Sequence, residues 1–138
     1  EKSGVTVSVY TFADSNDVAA VTATACDEND VLYIPTDNTA ASCTEAINNV
    51  AEPAGVPIIA GEEGICSGCG VATLSIDYYD LGVATGKMAA KILRGEADIS
   101  KMPIEYAPDF TKLYNADRCK ALEIDTAALD AAGYKPIS

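Results

Sequence analysis

Apolar residues recur along this chain at two spacings, and the switches between them outline its elements. Over residues 5–12, Val5, Val7 and Val9 alternate with Thr6, Ser8 and Tyr10, a β-branched pattern of period two that predicts a strand. Asp14, Ser15, Asn16 and Asp17 follow, all favoured at helix N-caps, and Val18, Val21, Thr22 and Ala25 then mark one helical face ending near Cys26. Residues 30–34 predict a short strand stopped by Pro35. Residues 39–51 read as one helix with Ala40, Cys43, Ile47 and Val50 on one side, closed by Gly55. Residues 56–60 predict a third strand, 61–70 a Gly-rich loop and 71–76 a fourth strand. The longest helix is predicted over 78–94, with Leu81, Ala84, Met88 and Ile92 on its buried face and Gly95 as its stop. Beyond it the pattern weakens. Residues 103–106 and 111–114 read as strands, Asn115 caps a short helix reaching about Leu122, and a last helical turn is predicted from Asp125 and Thr126. No repeat or low-complexity tract interrupts this order.

Strands and helices in alternation, with nearly all-apolar strands, predict an α/β fold: a doubly wound, mostly parallel sheet covered on both faces. Ligands of such sheets bind beyond the carboxyl ends of the strands. Three segments therefore matter most: 35–39, 61–70 and 77–79.

The totals narrow the partners. The 138 residues suit one domain, and 49% apolar with 22% charged residues is the composition of a folded globular chain. No apolar run approaches the roughly 18–20 residues of a membrane span. The chain opens on Glu1, Lys2, Ser3 and Gly4, which reads as the last turn of a helix with its Gly cap, so the natural protein is expected to extend further on the N-terminal side. Its net charge of −12 repels phosphate backbones and argues against nucleic acid as a partner. Five Cys and no His remove Ser-His-Asp hydrolysis and the commonest general base. Cys26 and Cys43 sit at helical core positions.

Each candidate segment has a functional and a plain structural reading. Thr36, Asp37, Asn38 and Thr39 offer four hydrogen-bonding side chains at a helix start, suited to a small carboxylate or simply to capping. Glu62 and Glu63 can meet an ammonium group or be a solvated pair, with at most one expected to face a cleft. Asp77 can cap the long helix or hold an ammonium group, and Tyr78 and Tyr79 offer flat faces to a ligand or pack as core. Cys66 and Cys69 have the spacing of a redox dithiol or half a zinc site. A closed zinc site needs four ligands and neither a second CxxC nor a His exists, so no metal or cofactor is expected and a local disulfide or paired thiols is favoured. Gly82 to Met88 faintly matches a phosphate-binding loop but has one residue too few between its glycines and lies in a helix pattern.

With these segments placed, Asp30-Val-Leu-Tyr-Ile-Pro-Thr-Asp-Asn-Thr39, Val56-Pro-Ile-Ile-Ala-Gly-Glu-Glu-Gly64 and Leu74-Ser-Ile-Asp-Tyr-Tyr-Asp-Leu-Gly82 are similar to signature runs of the ABC-transporter substrate-binding family associated with tryptophan and other aromatic amino acids. Thr85-Gly-Lys-Met-Ala-Ala and Pro103-Ile-Glu-Tyr106 extend the likeness across nearly the whole chain. The resemblance implies a type I periplasmic-binding fold, two α/β lobes closing on a ligand, with this chain a partial second (C-terminal) lobe truncated at its N-terminal side. It implies an extracytoplasmic, non-enzymatic receptor, periplasmic or lipid-anchored, that binds an amino acid, by family an aromatic one, and serves an ABC permease. The cleft residues carried over are Thr36, Asp37, Asn38, Glu62, Glu63 and Asp77, with Tyr78 a candidate stacking surface. Thr36 and Asn38 would take the ligand carboxylate, and Asp37 or Asp77 its ammonium. The family has a further strand and helix before residue 5, so a gap between flanking strands is expected, and the 78–95 helix is expected to pack on the first lobe. A compensating homodimer, strand exchange or altered packing follows from that loss. Two other readings stand beside this one: a sensory or regulatory domain on the same fold, and a thiol oxidoreductase using Cys66 and Cys69.

Overall fold

The computed structural model describes residues 4–107 and 109–137. The chain runs α1 (Val18–Glu28), β1 (Leu32–Ile34), α2 (Asn38–Ser42), α3 (Thr44–Ala54), β2 (Ile58–Ala60), α4 (Glu63–Gly68), β3 (Ala72–Ile76), α5 (Tyr78–Leu93), β4 (Phe110–Tyr114), α6 (Ala116–Ala121), α7 (Ala127–Ala131) and β5 (Lys135–Pro136). The strands form one sheet in the order β1-β2-β3-β4-β5. All neighbours are parallel except β3 and β4, where Ala72 lies opposite Tyr114 and Ile76 opposite Phe110. This is the α/β, mostly parallel sheet that the alternating pattern predicts.

Register divides the core into two sides. Leu32, Ile34, Ile58, Ala60, Thr73 and Ser75 share one face, and α1, α3 and α4 close over it through Val18, Ile47, Ala51 and Ile65. On the other face Ala72 and Tyr114 are covered by Leu129 of α7, with Tyr114 Oη donating to Asp130 Oδ1 at 3.1 Å. That cover stops short of β1 and β2. Tyr33, Ile59 and Leu74 stand 68%, 39% and 49% exposed there, so the second layer expected of the sheet is only partly present among the described residues.

Several boundaries differ from the sequence pattern. Residues 5–12 run without joining the sheet, and residues 103–106 form no strand, because neither has a neighbouring strand to complete a ladder. The periodic stretch 39–51 is two helices, broken at Cys43, whose ψ of 17° departs from the helical range. The Gly-rich loop contains α4, made possible because Glu62 accepts from the Gly64 and Ile65 backbone N–H groups and so caps it. Gly55 ends α3 with φ 71°, as its position suggested. The face of α5 predicted to be buried is only half covered, and the helix buries no residue fully. The reading of Glu1, Lys2 and Ser3 as a helix end lies outside the described residues.

Cys66 and Cys69 sit in and just after α4, not in an open loop, and both are free, buried thiols instead of the disulfide their spacing allowed. Their sulfurs belong to the core beneath α4, where apolar packing favours the neutral thiol. Burial pushes Cys66 from an ordinary value near 9 up to about 12, with Cys69, Cys119, Glu63 and Glu62 adding to the effect. Burial likewise lifts Cys69 to about 11, against a downward pull from Arg118. Arg118 itself ties α6 to this region by pairing with Glu52 and donating to the Gly68 carbonyl at 3.3 Å. Asn115 adds bonds to the Cys66 and Ser67 carbonyls at 3.3 and 3.0 Å, completing the C-terminal end of α4.

One close approach locks the strand ends together. Gly61 N donates to Ile34 O at 2.8 Å, and a Cβ at Gly61 would lie 2.6 Å from Thr36 N and 2.8 Å from Pro35 C. Gly61→Ala must therefore push two backbones apart and should lower stability by about 1–3 kcal/mol, read from urea midpoints. Thr73 Oγ1 is buried and has no hydrogen-bond partner among the described residues. Thr73→Val keeps the shape and removes that unmet group, so a gain of about 1 kcal/mol is expected in the same measurement. The thiols set a third expectation. As pH rises above about 9 the unfolded chain releases Cys66 and Cys69 protons before the folded chain does, so stability falls through the interval up to about 11–12. Cys66→Ala should flatten that fall in denaturation series run at stepped pH, and a slope identical to wild type would refute the assignment.

Candidate functional site

Because β1, β2 and β3 are parallel neighbours, their carboxyl ends finish side by side, and each passes directly into a turn bearing an acid. In each turn the acid occupies the position just before a helix, where unpaired backbone N–H groups need an acceptor. Asp37 accepts from Ala40 N at 2.8 Å and caps α2. Glu62 accepts from Gly64 N at 2.8 Å and from Ile65 N. Asp77 accepts from Tyr79 N at 2.7 Å and Asp80 N at 3.2 Å.

Side-chain bonds hold the three turns to one another. Thr36 Oγ1 donates to Gly61 O at 3.2 Å, joining the first turn to the second. Glu63 N donates to Ser75 Oγ at 3.2 Å, joining α4 to the end of β3. Ser75 is 1% exposed and passes its own proton to Ile76 O at 3.2 Å, so the hydroxyl is fixed as an acceptor toward α4. Antiparallel β4 brings its first residues, Phe110 and Thr111, to this same end.

A cleft of about 430 Å³ opens there. Glu62 and Glu63 line it from α4, Asp77, Tyr78 and Tyr79 from the start of α5, and Thr111 from β4. Of the residues singled out in the sequence, Glu62, Glu63, Asp77, Tyr78 and Tyr79 meet in this cleft. Thr36, Asp37 and Asn38 lie on the adjacent turn and do not line it. Ser75 and Thr111 were not among them. Ser75 had the inward position of an alternating strand. Nothing in the sequence brings Thr111 here, since that depends on β4 returning beside β3.

The cleft's chemistry is one-sided. Both bonds to Asp77 end on Oδ1, which leaves Oδ2 open, and the Glu63 carboxylate accepts no hydrogen bond among the described residues. No Lys or Arg lines the space. A carboxylate accepts up to about four hydrogen bonds, so capping does not exhaust Asp77. Tyr78 and Tyr79, 57% and 79% exposed, add flat apolar faces with polar tips. The arrangement suits a cationic group joined to an apolar body. Among the described residues no group of three His, Cys, Asp or Glu is placed to hold a metal ion.

Known proteins share this arrangement of elements. Residues 1–129 match the family described as ABC transporter substrate binding protein. A tyrosine-binding protein of Clostridioides difficile (strain R20291) is 35% identical over 105 residues, covering 76% of this chain and 30% of that protein. The ABC domain from Streptococcus pneumonia, solved in complex with L-Trp, is 26% identical with a TM-score of 0.86, over 99% of this chain and 47% of that one. A ligand-free, open substrate-binding protein with adhesive properties from Clostridium difficile is 33% identical with a TM-score of 0.72, again over 99% of this chain and 46% of its own. The chain spans about half the length of these solved relatives and under a third of the curated one. On the family match across nearly its whole length, the chain belongs to the ABC transporter substrate-binding protein family.

Proposed function

We propose that this chain forms one wall of an aromatic amino acid site in the extracytoplasmic solute-binding component of an ABC importer. The observation that carries the reading is the cleft itself: two open carboxylate positions, Asp77 Oδ2 and Glu63, beside exposed tyrosines, with no basic residue along the lining. A primary ammonium on a flat apolar body is the small molecule such a set complements. The tyrosine and L-Trp named for two relatives support an aromatic choice.

In this reading Asp77 takes the ligand ammonium, Glu63 adds a second negative charge, and Glu62 fixes α4 by capping it. Tyr78 lies against the ring. Asn38 and the free backbone N–H groups of the turn next to the cleft donate to the ligand carboxylate, while Thr36 ties that turn to Gly61 and Asp37 holds it through its cap. The remaining contacts come from the half of the relatives' length that this chain does not span. The 78–95 region packs on that half, which accounts for the solvent-facing Tyr78, Tyr79, Val83 and Leu93 on a helix that buries nothing fully. The ligand is bound without chemical conversion and released to a permease.

Asp77→Asn tests the charge without disturbing the cap, because Asn caps helices as well as Asp does. In the protein of its relatives' full length, the variant should keep its melting temperature and bind L-tyrosine or L-tryptophan about 10–100-fold more weakly by calorimetry. Tyr78→Ala should cost aromatic ligands more than leucine. Wild-type affinity in Asp77→Asn would end the proposal.

A further inference from the structure

The three acids of the cleft carry unequal structural duties. Glu62 accepts from helix amides on both oxygens, Gly64 N at Oε2 and Ile65 N at Oε1, and so caps α4. Asp77 caps α5 through Oδ1 alone. The Glu63 carboxylate does neither. It accepts no hydrogen bond among the described residues, and the ion pairs there, Lys91 with Glu105, Lys101 with Asp98 and Arg118 with Glu52, do not include it. Its backbone, by contrast, is held. Glu63 N donates at 3.2 Å to the Oγ of the buried Ser75, which keeps the residue on the border of the cleft. An acid in a first helical turn is favoured by the helix dipole, but α4 has only six residues and is already capped, so that gain is small. Glu63 is a charge the fold hardly needs, beside a space that no Lys or Arg lines.

With the cleft read as an aromatic ammonium site, the reading on which this inference rests, Asp77 is enough to neutralise one ammonium. Glu63 then acts on the net charge of the ligand. Coulomb energy falls only as the inverse of distance, and the ammonium and carboxylate of an α-amino acid hang from one carbon. The attraction of Glu63 for the first and its repulsion of the second therefore largely cancel. A ligand with the same ring and ammonium but no carboxylate feels the attraction alone. Nor does this wall hold much for a carboxylate. Ser75 gives its proton to Ile76 O, and on the neighbouring turn Thr36 gives its own to Gly61 O, so neither hydroxyl is free to donate. We infer that Glu63 selects for net positive charge, and that the ligands of this cleft include aromatic monoamines without a free carboxylate, of which tyramine is a simple phenolic example.

Calorimetry on the protein of its relatives' full length, with compounds that share one phenol ring, separates the charges. L-tyrosine carries both, tyramine lacks the carboxylate and phloretate lacks the ammonium. Tyramine should bind within about tenfold of L-tyrosine, and phloretate at least about a hundredfold more weakly than either. Glu63→Gln keeps the shape of the side chain and removes its charge. It should weaken tyramine about five- to tenfold and L-tyrosine less than about twofold, while Glu63→Asp returns the ratio toward wild type. Equal losses for the two ligands in Glu63→Gln, with no recovery in Glu63→Asp, would overturn the inference by making Glu63 a structural residue. Tyramine binding more than about tenfold more weakly than L-tyrosine would overturn it too, by showing the carboxylate to be essential, and would leave the aromatic reading standing. No binding of L-tyrosine, L-tryptophan or tyramine would instead end that reading, and the inference with it.

Discussion

The parallel register of β1, β2 and β3 is the constraint on which the rest of this structure depends. It brings three strand ends level, so that three helix starts, and the acids that cap them, arrive at one edge. The level is maintained by backbone contact at Gly61, where the absence of a side chain lets the second turn lie against Pro35 and Thr36. Ser75 continues the same line by fixing α4 to the end of β3. Without these approaches Glu62 and Asp77 would still cap their helices but would no longer border one space.

Capping does not use every acceptor of the acids at these helix starts. A helix start needs an acceptor at one oxygen, and a carboxylate has two. Asp77 holds both of its backbone donors on Oδ1 and leaves Oδ2 without one. The structural demand therefore does not consume the carboxylate. That division also gives a one-sided potential, since no cation lies along the cleft to neutralise it.

The sheet has two kinds of unfinished boundary, and they differ in chemistry. The strand-end cleft is polar, acidic and edged with tyrosines, as a small charged molecule requires. The flank beside β1 is lined by uncharged residues and lies at the edge of the sheet. The bare face carrying Tyr33, Ile59 and Leu74 adjoins that flank, and α5 stands off the core with no buried residue. The solved relatives that share this fold are about twice as long as this chain.

The sequence by itself determined the α/β class, the places where strands meet helices, the stop at Gly55 and the cap at Asn115, and it offered Asp77 and one residue of the 36–39 turn as caps without choosing. Each rests on short-range chemistry: side-chain period, φ at a helix end, or a carboxylate or amide beside free N–H groups. Five of the cleft residues, Glu62, Glu63, Asp77, Tyr78 and Tyr79, were legible for the same reason, since strand-to-helix turns can be located along the chain. Tertiary structure decided what depends on distant neighbours. Residues 5–12 carry a strand's alternation yet form no ladder, because pairing needs a second backbone at hydrogen-bonding distance. The Cys66 and Cys69 thiols looked available by spacing but are buried by packing around α4, and α4 itself emerged from a glycine-rich stretch once Glu62 capped it. Thr111 reached the cleft because β4 runs antiparallel to β3, and a direction of return across the sheet leaves no local mark on the residues that make it.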